Sequence, residues 1–238
     1  MLSRMIRVVG LVLVVSAAVS GCAGVSGRGA NAPIAHVVLV GFKEGTSSAV
    51  VAQIVEEAHK LPKKIPGFLD FHGGANNSPE GLDQGHSHGF VMTFESAEAL
   101  QHYRSHPAHE TFAAFAKSKR ENSFVFDLAV EAPPPADPGN VQHLVFFKYN
   151  DDATEEKLAE VHRRFAALKG KIPGLIGYAA SENVNPGRAQ GFTHGYLITF
   201  TDAAARDAYL PHPAHTAFVD IVKPLLAGVL VVDYANGD

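Results

Sequence analysis

One cysteine, Cys22, stands among the 238 residues, so no disulfide can close within the chain. Tryptophan is absent and only three methionines occur. Basic residues do not collect into a run beyond the first few positions, and the net charge is −4, which argues against a nucleic-acid partner. No carboxylate or further cysteine stands at metal-ligand spacing, so neither a metal nor another cofactor is expected. The apolar run from Val8 to Val19 is too short to span a bilayer. Against these shortages, 46% hydrophobic and 18% charged residues are ordinary for a globular core. The 13 histidines are many for this length and need an account.

The beginning reads "MLSRMIRVVGLVLVVSAAVSGCAG". Arg4 and Arg7 precede the apolar run, which predicts a signal peptide over residues 1–21. Val19-Ser20-Gly21-Cys22 resembles a bacterial lipobox, so Cys22 is expected to carry lipid and to hold the chain on a membrane. This implies the cell envelope, periplasmic or outer-membrane, and by resemblance to Gram-negative lipoproteins Ala23 after the cysteine permits outer-membrane sorting. Residues 22–33 are rich in Gly, Ser and Ala, a flexible tether with a root-mean-square reach of roughly 20 Å.

Shifted by about 107 residues, the chain meets itself. "HVVLVGF" at His36 falls on "HLVFFKY" at His143, and "KKIPGF" on "GKIPGL". After the offset drops by one between Pro79 and Gln84, "HSHGFVMTFES" falls on "FTHGYLITFTD" and "HPAH" at His106 on "HPAH" at His212. Two copies of one domain account for this. They are placed at 34–131 and 141–236, joined by a Pro-rich linker over 132–140.

Each copy predicts the same elements. In the first, a strand covers His36 to Phe42 and a helix covers Ser47 to Lys60, closed by Ile65-Pro66-Gly67. A short strand follows over Phe68 to Gly74, then a strand alternating at His88, Phe90, Met92 and Phe94. Ser96 caps a helix through Tyr103, Pro107 opens another, and Phe124 to Val130 is a last strand. The fold class is α+β: two ferredoxin-like βαββαβ domains, each with helices on one sheet face, and each covering the other's bare face.

Pro107 suits a first helical position, which makes His106 the cap and puts His109 in the first turn, where the helix dipole favours neutral imidazole. A neutral His109 can accept a proton, and Tyr103 precedes it by six residues. Tyr209 and His215 repeat the pair. His36 and His143 lie on first strands, His88 and His194 on third strands, on faces shared with apolar residues. First and third strands run antiparallel, so their histidines are expected at opposite ends. Periodicity leaves open whether this face meets helices or the other sheet. Meeting the other sheet would make it a barrel pocket of apolar walls and few polar groups.

The strand-opening His, the "IPG" turn, "NNSPEGLDQG", "TFES" and above all "HPAH" resemble the stress-responsive α/β-barrel (Dabb) domain, over nearly all of the chain after the tether. Members of that family usually pair as homodimers. The resemblance therefore implies a monomer with an internal pseudo-dimer. Some plant members are polyketide cyclases that close a ring by aldol condensation. By resemblance, Tyr103, His109, Tyr209 and His215 are candidate catalytic residues, and His36, His88, His143 and His194 candidate ligand-binding residues.

The second copy's "VKPLLAGVLVVD" follows the family pattern more closely than "AKSKRENSFVFD", so the second site, with His215, is expected to be the more intact. Three functions follow. The foremost is binding of a small apolar or aromatic ligand in the barrel, with a role in stress response. The others are a Tyr/His acid–base enzyme and an interaction module without a ligand.

Overall fold

The computed structural model describes residues 32–237; the leader, most of the tether and Cys22 lie outside the described residues. The first half runs β1 (Ile34–Phe42), α1 (Ser48–His59), β2 (Phe68–Ala75), β3 (His88–Phe94), α2 (Ala97–Ser105), α3 (Pro107–Lys119) and β4 (Arg120–Ala129). The second repeats it as β5 (Val141–Tyr149), α4 (Glu155–Ala166), β6 (Leu175–Glu182), β7 (His194–Phe200), α5 (Ala203–Tyr209), α6 (Pro213–Val222) and β8 (Leu226–Ala235). Each sheet is antiparallel, in the order β2-β3-β1-β4 and β6-β7-β5-β8. The ferredoxin-like class expected from the repeat is therefore the observed one.

The caps follow the sequence. Ser47 accepts from the Val50 N–H, Ser96 from Ala99 and Thr154 from Lys157. His106 and His212 cap α3 and α6, each ring Nδ1 accepting the N–H two residues on, with Pro at the first helical position.

Alternation along β1 divides two cores. Ala35, Val37 and Leu39 face the other half, where they join Phe124, Phe126, Leu144, Phe146, Leu197, Leu230 and Val232 in one buried cluster. His36, Val38, Val40 and Phe42 face the first half's own helices. The sheets approach closely because glycine stands at one equivalent position in each. A Cβ on Gly89 would lie 3.0 Å from Val232, and one on Gly195 would lie 2.7 Å from Phe126. The space between the sheets is thus packed with side chains, and the histidine face opens toward the helices. The pocket expected between the sheets is corrected on this point: a buried apolar cluster joins the two sheets, and the cleft that the histidines line lies on the helix side of the first.

Candidate functional site beneath the helices of the first half

A cleft of about 810 Å³, counting its open mouth, lies between the first sheet and helices α1 and α3. Val38, Val40, Phe71, Phe90 and Met92 form its floor, and Ile54, Ala58, Phe112, Ala113 and Ala116 its roof. Apolar walls with a few polar groups suit a small ligand. His36, Tyr103 and His109 bring polar groups to it, and Arg120 and Arg188 bring positive charge.

Three of the four candidates in the first half meet here. The Tyr103 and His109 ring centres lie 4.0 Å apart, and those of His36 and Tyr103 lie 6.1 Å apart. The His109 Nδ1 faces the Arg104 carbonyl at 3.1 Å. A carbonyl only accepts, so Nδ1 carries the proton and the neutral ring's lone pair is on Nε2. Burial, more than any other influence, pushes His109 below the ordinary imidazole value; the bond to the carbonyl acts the other way. The expected neutral ring is found, with burial rather than the helix dipole as its leading cause. Tyr103 donates to the Met92 sulfur at 3.3 Å, and burial raises its pKa, so the phenol stays protonated.

His88 does not join them. It pairs in register with Val40 while His36 pairs with Met92, which puts the two histidines at opposite ends of the strand pair, as expected. His88 packs instead on Phe42, with ring centres 4.9 Å apart. His194 likewise sits against Tyr149 and His162, away from His143.

Behind His36 stands an ion cluster that the motifs did not announce. The His36 Nδ1–H donates to Asp127 at 2.5 Å, Arg104 donates to the other carboxylate oxygen at 2.5 Å, and Asn185 of the second half donates to that oxygen at 3.0 Å. The second half repeats it. Asp233 holds His143 at 2.7 Å and Arg206 at 2.5 Å, and Arg206 reaches the Asn77 carbonyl of the first half at 3.4 Å. Each half's loop after its second strand closes the other half's cluster. Burial works against both aspartates, yet their partners hold them below the usual carboxylate range. The repeated Asp in "VFDLAV" and "VVDYAN" was the visible signal. The arginines were hidden, because Arg104 and Arg206 do not occupy matching repeat positions.

The second half keeps the polar corner. Tyr209 and His215 have ring centres 4.0 Å apart, the His215 Nδ1–H donates to the Leu210 carbonyl at 2.9 Å, and His143 lies 5.7 Å from Tyr209. It does not keep the room. Positions matching Val40, Ala58, Ala113 and Ala116 carry Phe147, Phe165, Val219 and Val222. Phe165 packs on Phe218 at 4.3 Å and Tyr196 at 4.7 Å between ring centres, filling the layer. The second copy, expected to hold the more intact site, keeps the polar corner, but the open cleft lies in the first. The second copy's family-like final segment builds a tighter core, whereas "AKSKRENSFVFD" supplies small residues and Arg120 to the first.

Burial also sets a pH dependence. It pushes His194 down to about 4 and lowers His109 and His215. Below the ordinary value of 6.5 the unfolded chain takes up protons that the folded chain refuses, so stability falls as the pH drops from 6.5 toward 4. Burial alone would lower His143 too, but Asp233 holds it above 6.5, so its stabilisation fades at higher pH. Melting scans are expected to show a maximum near neutrality and a lower transition at pH 5. His194→Gln should flatten the acid limb; an unchanged acid limb would count against this cause.

One family matches both halves of the chain. The chain belongs to it: the Stress responsive A/B Barrel Domain model matches residues 34–130 and 141–236. One half is 37% identical over 98 residues to the Stress-response A/B barrel domain-containing protein HS1 of Arabidopsis thaliana, across 41% of this chain and 90% of that protein. The olivetolic acid cyclase of Cannabis sativa is 28% identical over 95 residues, 40% of this chain and 94% of that protein. Among solved structures, an anthrone oxidase-like protein superposes on 87% of this chain and 92% of its own, with TM-score 0.63 and 13% identity, which shows the shared fold.

Proposed function

We propose that the cleft of the first half binds a small apolar or aromatic molecule, and that the chain, a monomer with both halves in one polypeptide, is held at the cell envelope by lipid on Cys22. The observation that carries the binding is the contrast between halves: the same Tyr–His corner faces an open apolar cleft in one and a filled core in the other. Extraction of the purified chain and mass spectrometry would identify the ligand. Ala58→Phe, which places in the first half the residue that fills the second, is expected to lower affinity for that ligand at least tenfold while the chain stays folded. His109→Ala should weaken it up to about tenfold, the effect of one lost neutral hydrogen bond. Unchanged affinity in both variants would place the ligand elsewhere.

A second reading is acid–base catalysis, with Nε2 of His109 as base and Tyr103 as donor. The 4.0 Å ring pair, the neutral imidazole and the likeness to olivetolic acid cyclase support it. The lipid anchor rests on the basic start, apolar run and lipobox-like end of residues 1–22. Cys22→Ser should abolish fatty-acid labelling of the chain and move it from the membrane to the soluble fraction, where it should sediment as a monomer. Unchanged labelling would overturn the anchor.

A further inference from the structure

The cleft has two unlike ends. His36 lies near the start of β1, Tyr103 near the end of α2 and His109 in the first turn of α3. Arg120 closes the far end of α3 and pairs in register with Phe42, the last residue of β1. From His109 to Arg120 the helix advances about 16 Å. The walls between are Val38, Val40, Phe112, Ala113 and Ala116. Arg188 reaches the same cleft from the loop between β6 and β7, so it comes from the other half of the chain.

Arg120 is half-buried and Arg188 exposed, and both lack the carboxylate partners that Arg104 and Arg206 have. Arg104 is bound to Asp127, and Arg206 to Asp233 and Asp207. Neither Arg120 nor Arg188 has an ion-pair partner among the described residues. Burial and the charge of Arg188 both act against the charge on Arg120. Two cations at the mouth of an apolar cleft are unfavourable neighbours unless an anion joins them. The second half shows what stands there when no ligand is served. By the repeat, Leu226 matches Arg120 and Leu82 matches Arg188, and both leucines pack against the second half's filled core. Open room and paired cations occur together in one half, and filled room and paired leucines in the other.

We propose that the first-half cleft takes an amphipathic carboxylate, its apolar body lying along β1 and α3 and its carboxylate held by Arg120 and Arg188, one arm from each half. This rests on the cleft being a ligand site and adds the ligand's charge and direction. The carboxylate sits at the end away from His109. The Tyr–His corner therefore meets the far end of the molecule. Guanidinium groups suit this task, since each offers a planar fork to a carboxylate.

Calorimetric titration of the full chain with octanoate, octanol and octylamine tests it. Octanoate should bind at least about tenfold more tightly than octanol or octylamine, as expected for charge-assisted hydrogen bonds in a partly dry site, and added salt should narrow the gap. Arg188→Gln lies in an exposed loop and leaves the fold intact; it should cut the octanoate-to-octanol ratio several-fold. Arg120→Met with Arg188→Gln should bring the ratio to about one. Equal affinity for octanoate and octanol in the unaltered chain would overturn the carboxylate clamp and leave the cleft as a ligand site. A ratio unmoved in the double variant would overturn it too. Binding of none of the three probes, with Ala58→Phe also without effect on the extracted ligand, would remove both.

Discussion

Asp233→Ala is expected to destabilise the chain by about 3–5 kcal/mol, the usual cost of removing one partner from a buried ion cluster. The Asp233 side chain is fully buried, and those of His143 and Arg206 are 2% and 6% exposed. Without the carboxylate, the Arg206 guanidinium loses its buried partner and burial drives His143 toward the neutral ring. Arg206 keeps only the exposed carboxylate of Asp207 at 2.7 Å, and the acid left nearest His143 is Glu80 at 3.9 Å, whose own carboxyl burial pushes upward. The loss also reaches across the molecule, because Arg206 bonds Asn77 of the first half. Asp127→Ala should cost less, about 1–3 kcal/mol, because its arginine, Arg104, keeps a third of its side chain in water and can rehydrate. Urea unfolding of both variants checks the order. An equal or smaller loss for Asp233→Ala would show that the second cluster is no more demanding than the first.

Phe165→Ala has an expected cost of about 3–5 kcal/mol, from lost burial and the void left among packed aromatics. Phe165 is the residue that most separates the halves. It touches Phe218, Tyr196 and Tyr178, with ring centres at 4.3, 4.7 and 5.6 Å, and its counterpart in the first half is Ala58. The substitution removes the ring that packs on Phe218 of α6 in the second half's core. If room is what distinguishes the halves, ligand stoichiometry should rise from one toward two as stability falls. Calorimetric titration with the extracted ligand, beside a melting scan, reads both. A full loss of stability with stoichiometry still at one would mean that shape alone does not make the second site, and would direct attention to Leu82 and Leu226.

Histidine paired with Asp and Arg was invisible as a motif for a simple geometric reason. Arg104 aligns with Leu210, and Arg206 aligns with Leu100, one helical turn earlier. Both arginines lie on the helix face that looks down on the aspartate, because positions four apart share a face. Sliding the sequence against itself compares positions, so it registers no repeat where two turns of one helix do the same work. Asn185 and Asn77 were hidden differently: each serves the half it does not belong to.

The sequence by itself determined the duplication, the order of elements in each half, the caps at Ser96 and His106, and the Tyr103/His109 and Tyr209/His215 corners. These are local or periodic properties, written in spacing of residues that the chain brings together over a few positions. Tertiary structure alone decided which face of β1 carries the histidines to the helices, since a strand's alternation names two faces without saying what each will meet. It also decided that the packed layer lies between the sheets, that the first half is the open one, and that Arg188 reaches the first half's cleft. The differences at Ala58 and Phe165 are plain in the sequence. Their effect depends on how much volume the opposing strand and helix leave, and that is fixed only when both halves have packed.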